Sequence, residues 1–208
     1  MSRGSRRSIL ALSAAGLAML LNATVARADS TAHLTLHSEP GDWVGSGQDW
    51  DITYSGSDIG FAQVGRTLNN GDPAFLWFFM NGDSANFASL SFGTDQLGIK
   101  IQPGIYTNAE RASFASPGHP GLDVSFNSHG CNTVTGSFTI TDVTFRRSQS
   151  TIKSFAVSFE QHCEGFPPAL FGTFTYTADV PPVPGDFDDD ARGDLLWRNK
   201  ATGQTSAG

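Results

Sequence analysis

Ala74-Phe75-Leu76-Trp77-Phe78-Phe79-Met80 is the stretch on which the fold turns. An unbroken apolar run of this length is short for a helix and suits a central strand buried on both faces. Asn81-Gly82-Asp83 follows as a hairpin turn and leads into Phe87–Phe92, where Leu90 and Phe92 fall in phase. Working outward from this hairpin, the same pattern recurs in both directions. Upstream lie His33–His37, with Leu34 and Leu36 on one face, then Trp50–Tyr54 and Ile59–Gly65. Downstream lie Ile105–Thr107, Leu122–Phe126, Val134–Phe145, Ile152–Glu160 and Leu170–Tyr176. Short alternating segments separated by Gly, Asn, Asp, Ser and Pro, about nine or ten strands in all, predict an all-β antiparallel β-sandwich or jelly roll. The sixteen phenylalanines supply the large apolar areas that a two-layer core requires.

The first residues have the three parts of an export signal. Arg3, Arg6 and Arg7 form a basic start, Ser8 to Leu21 an apolar stretch, and Ala26-Arg27-Ala28 the small residues of a cleavage site. The apolar stretch falls short of the about 20 residues of a membrane span. Ser5-Arg6-Arg7-Ser8-Ile9-Leu10 resembles a twin-arginine export motif, with Ile9 and Ala11 departing from its usual form; an ordinary secretory signal is the alternative. Residues 1–28 are therefore expected to be removed, leaving 180 residues secreted to a periplasmic or extracellular space. That segment holds four arginines and no acid, so its loss moves the formal net charge from −7 to −11. So acidic a chain argues against nucleic-acid partners and anionic membrane surfaces, which require clustered Lys and Arg. Cys131 and Cys163 are the two cysteines, and in an oxidising compartment they are expected to pair.

Residues 29–179 form the expected β domain, Val180-Pro181-Pro182-Val183-Pro184 a stiff linker, and 185–208 a separate tail. In the tail, Asp186, Asp188, Asp190 and Asp194 occupy relative positions 1, 3, 5 and 9, with the main-chain carbonyl of Arg192 at position 7. Oxygens so spaced suit calcium, which takes six to eight of them in flexible geometry. Position 12 is Trp197, which excludes an EF-hand or dockerin loop. The segment resembles one FG-GAP or VCBS-type calcium repeat, with Leu195–Asn199 matching its following strand and Thr202-Gly203-Gln204 its turn. Ala191 stands where that family usually has Gly, and a positive φ there costs about 1 kcal/mol or more. A single repeat cannot form a propeller, which needs several stacked blades. A solvated acidic tail is the alternative reading.

The larger domain resembles an exported bacterial β-domain of uncharacterised function. Three segments carry the resemblance: Ser38–Gly45 with its GDWVG motif, Gly130–Phe138 (GCNTVTGSF) and Phe159–Gly165 (FEQHCEG). It implies secretion, a Cys131–Cys163 bridge and a sandwich, and brings no catalytic residues. Two site candidates come from the residues themselves. His129, Glu160, His162 and Glu164 cluster near the expected bridge, and two His with two Glu suit a metal site or an acid–base pair. Solvent-facing polar residues on strands with an apolar reverse face are the plainer explanation. Trp43 and Trp50 flank a polar turn beside Asp42, Gln48, Asp49 and Asp51, a combination of aromatic face and planar polar groups that suits a sugar. The expected function is a non-catalytic extracellular binding or adhesion module with a glycan or cell-surface ligand. A small secreted hydrolase or metal-dependent enzyme built on the His/Glu group, and a structural spacer of a longer surface protein, are the alternatives.

Overall fold

A computed structural model describes residues 30–82, 86–146, 151–179, 193 and 195–207. Ten strands make one antiparallel-dominated sheet: β1 (Thr31–Ser38), β2 (Asp49–Ser55), β3 (Ile59–Thr67), β4 (Pro73–Asn81), β5 (Phe87–Gly93), β6 (Gly104–Arg111), β7 (Gly121–Phe126), β8 (Val134–Phe145), β9 (Ile152–Cys163) and β10 (Ala169–Thr177). Their order is β2-β1-β10-β9-β8-β6-β7-β5-β4-β3. Apart from two single-turn 3-10 segments, Gly56–Asp58 and Asp95–Leu97, the described residues of this body contain no helix. Nearer the C-terminal end of the described residues, β11 (Leu196–Arg198) and β12 (Thr205–Ala207) pair as a short hairpin. No helix among the described residues is long and apolar enough to cross a membrane.

The sheet is continuous in its hydrogen bonding, yet it folds over itself into two layers. The bend lies at β6, which pairs β8 over most of its length but meets β7 in parallel at only Glu110↔Gly121 and Arg111↔Leu122. Past the bend, β7, β5 and β4 lie over β8, β9 and β10, and phenylalanine fills the space between. Phe78 of β4 packs 5.1 Å from Phe155 and 4.9 Å from Phe174, and Phe92 of β5 lies 5.3 Å from Phe138. Leu34, Leu76, Phe78, Leu90, Phe92, Leu122, Val124 and Phe174 are all completely buried. Each comes from the inward phase of an alternating strand, which is why a period of two was enough to locate them.

The corner creates a hydrogen-bonding problem that one core side chain solves. The edge of β7 turned away from β5 has few strand partners, and its backbone groups are buried. Glu110 N–H donates to the Pro120 carbonyl, Ala112 N–H to Leu122, and Phe126 and His129 bond one another. The gap between them is Val124. There the wholly buried Gln161 accepts from Val124 N–H through Oε1 at 2.8 Å and donates through Nε2 to the Val124 carbonyl, also at 2.8 Å. Its primary amide serves as the missing strand.

Cys131 and Cys163 are joined, with their Cα atoms 5.1 Å apart, and both are buried. The bridge ties the loop before β8 to the end of β9, next to Gln161. Two parts of the sequence motifs act in the same region. Gly136 brings β8 so close to β9 that a Cβ would stand 2.1 Å from the Glu160 carbonyl oxygen. Asp42, buried in the β1–β2 loop, accepts from Ser38 Oγ and the Gly45 N–H.

One expectation for the deciding stretch is corrected. Ala74–Met80 forms the inner part of β4, but only Leu76, Phe78 and Met80 point into the core alongside Ala74. Trp77 is 39% exposed and Phe79 is half-buried. The run is apolar on both faces because its outer face is an aromatic row, in which Phe75 is buried with Arg66 over its ring while Trp77 and Phe79 reach the surface.

Candidate functional site

The outer face of β3, β4, β5 and β7 carries a groove of about 420 Å³. Its construction follows from strand register. Gln63 pairs with Trp77, Trp77 with Ser91, and Ser91 with Asp123, so these residues form one row across four strands. On one side runs the row Phe61, Phe79, Ser89 and Ser125, and on the other Arg66, Phe75, Gly93 and Gly121. Long side chains occupy β3 and β4 (Phe61, Gln63 and Arg66, then Phe79, Trp77 and Phe75), whereas Ser89, Ser91 and Gly93 of β5 and Ser125, Asp123 and Gly121 of β7 are short, and this step in side-chain size hollows the surface. Arg111 at the end of β6, with Ser113 and Gly130, closes the far wall.

The ring wall is held rigidly. Trp77 donates its indole N–H to Ser89 Oγ at 2.9 Å, and Phe61 meets its edge at a centroid distance of 4.8 Å. Phe61 in turn stacks on Phe79 at 5.6 Å. Arg66 covers the Phe75 ring at 4.1 Å and bridges to Asp95 at 3.1 Å. On the opposite wall, Arg111 Nε donates to Asp123 Oδ2 at 3.1 Å, and its Nη1 reaches the Asn132 carbonyl. Burial raises the Asp123 pKa above the usual aspartate value, against the lowering pull of Arg111. The groove therefore presents an indole face, a primary amide, several hydroxyls, the Arg66 guanidinium over Phe75 and the Arg111–Asp123 pair. Rings take up apolar C–H faces, and planar polar groups donate to and accept from hydroxyls.

The residues singled out from sequence are arranged as follows. Trp43 is 60% exposed and lies 4.6 Å from the His129 ring. Trp50 is half-buried, packs 5.0 Å from Phe126 and donates to the Gly45 carbonyl. The two tryptophans thus do not form a common face. Trp43 instead lines a separate hollow with Phe166, Pro168, Glu164 and the Cys163 end of the bridge. Glu160 and His162 do come together, Nε2 to Oε1 at 2.9 Å. Desolvation works against protonation of His162, but the hydrogen bonds to Glu160 and to Pro167 and Pro168 outweigh it and raise its pKa. Glu164 departs from the pair because alternation ends at Cys163: its φ of 56° turns the chain back. Its carboxylate accepts from Asn132 N–H and Thr133 Oγ1, and the Asn132 bond chiefly lowers its pKa. Among the described residues, no three or more His, Cys, Asp or Glu side chains come together as a metal group. Asp186, Asp188, Asp190, Arg192 and Asp194 lie outside the described residues, as do residues 1–28 and the linker.

The Trp77 groove escaped the sequence reading because Trp77 sat in a run assigned to the core on both sides. A signal was present. Ser89 and Ser91 alternate with Leu90 and Phe92, and Asp123 and Ser125 alternate with Leu122, Val124 and Phe126. Two strands with small polar outer faces beside an aromatic one mark a hollow. No family model matches the chain, and no curated protein or solved structure matches it either.

Proposed function

We propose that the exported chain is a non-catalytic binding module whose Trp77 groove takes an extended glycan. One observation carries the reading: the row Gln63–Trp77–Ser91–Asp123 sets an accessible indole face beside planar polar groups and hydroxyls on a rigid sheet. Sugars need that pairing, since their C–H faces stack on rings while their hydroxyls need partners. Little side-chain freedom is lost on binding, because Trp77 and Arg111 are already held by hydrogen bonds. The leader-like first residues and the cysteine bridge accord with function outside the cytoplasm.

The test is a glycan array on the disulfide-bonded mature chain, followed by calorimetric titration with the oligosaccharides retained. The Trp77→Ala variant is expected to weaken binding by at least about tenfold, as for a central aromatic anchor. Because Trp77 also packs on Phe61 and bonds Ser89, the variant's thermal unfolding is measured alongside and binding is compared at a temperature where both proteins are folded. An array without retained glycans, or equal binding by the variant, overturns the proposal.

A further inference from the structure

A second groove, of about 540 Å³, crosses the outer face of the other layer. Register again dictates what lines it. Asp49, His37, Phe171, Glu160 and Ser137 form one row through β2, β1, β10, β9 and β8. The adjoining row contains Thr35, Thr173, Ser158 and Thr139. The first row is a wall and the second a floor of hydroxyls, with Thr35 and Thr173 Oγ1 atoms 2.6 Å apart. Phe171 is 36% exposed and lies nearly parallel to the His37 ring, at 24° and 6.3 Å between centroids. Three inter-strand spacings of about 4.8 Å give the floor a length of roughly 14 Å, room for an extended oligomer.

Charge separates this groove from the one holding Trp77. The Trp77 groove is lined by Arg66 and Arg111 with Asp123. The second is lined by two carboxylates, Asp49 and Glu160, and by no lysine or arginine. Asp49 bonds His37 at 2.6 Å and Glu160 bonds His162 at 2.9 Å, which engages one oxygen of each. The other oxygen of each is left to accept from a ligand. An exposed ring between carboxylates favours a cation, and a hydroxyl floor favours a polyol.

We propose that this groove is a second binding site, for an extended polyol bearing protonated amines such as an oligomer of glucosamine with free amino groups. The site stands independently of the Trp77 groove. With both occupied, one chain bridges two glycan polymers.

The experiment is calorimetric titration of the disulfide-bonded mature chain near neutral pH with glucosamine oligomers, free-amine and N-acetylated, of equal length. The free-amine oligomer is expected to bind, and Phe171→Ala and the double variant Asp49→Asn/Glu160→Gln are each expected to weaken it by at least about tenfold. Trp77→Ala is expected to leave that affinity unchanged. With the Trp77 groove disabled by Trp77→Ala, equal affinity for the N-acetylated oligomer overturns the assignment to amines. Absence of binding, or loss through Trp77→Ala and not Phe171→Ala, overturns the second site while leaving the first intact. Binding that salt abolishes and neither variant alters is general attraction to an acidic chain, and it too overturns the site. If the double variant unfolds, Phe171→Ala decides alone, since that ring lies outside the core.

Discussion

Replacing Gln161 by methionine isolates the cost of leaving the sheet corner unbraced. Gln161 is wholly buried, and its amide meets both backbone groups of Val124 at 2.8 Å. Methionine keeps the approximate volume and removes both bonds. Each orphaned buried group costs about 1–3 kcal/mol, which places the polar loss near 4 kcal/mol. Burying a thioether where an amide stood returns about 1 kcal/mol, leaving a net loss of about 3 kcal/mol. With a urea slope of about 2 kcal/mol/M, the unfolding midpoint should fall by about 1.5 M. The assay is urea unfolding with the disulfide intact, alongside hydrogen exchange at the Val124 amide, whose protection should drop selectively. Gln161→Glu keeps an acceptor for Val124 N–H and loses the donor while ionised, so that variant should regain stability as pH falls and its carboxyl acquires a proton. A midpoint shift below about 0.3 M for Gln161→Met, with Val124 still protected, refutes the corner-brace reasoning. The consequence reaches the candidate site, because Val124 lies between Asp123 and Ser125 on the groove floor.

Three further outcomes are expected. Reducing the Cys131–Cys163 bridge, which closes a separation of 32 residues, should lower stability by about 3–4 kcal/mol in the chain-entropy picture, read from unfolding curves with and without reductant. Gly136→Ala should destabilise by about 1–3 kcal/mol, since the atom it would crowd is the Glu160 backbone oxygen and cannot swing away; an unchanged unfolding midpoint refutes this. The Asp123 carboxyl should titrate above the usual aspartate value in a carbon-detected NMR titration, and higher still in Arg111→Met, because Arg111 opposes the shift. The sign follows from linkage: a carboxyl raised on folding penalises the ionised native state, so this contribution to stability is largest below the usual aspartate pKa. It is lost as pH rises through the raised one. A midpoint at or below the usual value contradicts the burial argument.

All ten strands of the main body were legible in the chain, several to within a residue or two, because alternation of period two is a local property. Val134–Phe145 coincides with β8, and Leu34, Leu36, Leu90 and Phe92 point inward as their phase requires. The Cys131–Cys163 pair was legible too, since a chain with two cysteines leaves each a single partner. The site was much less so. His129, Glu160, His162 and Glu164 lie close in sequence or near the bridge, yet the strand ends at Cys163 and a left-handed residue at Glu164 breaks the shared face. Trp43 and Trp50 are neighbours along the chain, but Trp50 sits against Phe126, more than seventy positions away.

What the sequence determined alone is which residues alternate, and hence the all-β class, the inward face of the alternating strands and the bridge. What only the tertiary structure decided is the lateral order of strands, and with it which outward residues become neighbours. Gln63, Trp77, Ser91 and Asp123 share a row because β3, β4, β5 and β7 stand side by side. That order is set by non-local hydrogen bonding and by packing of two aromatic layers, neither of which leaves a periodic trace in the chain. The same reason explains Gln161: nothing local distinguishes a glutamine at the surface from one completing a buried ladder.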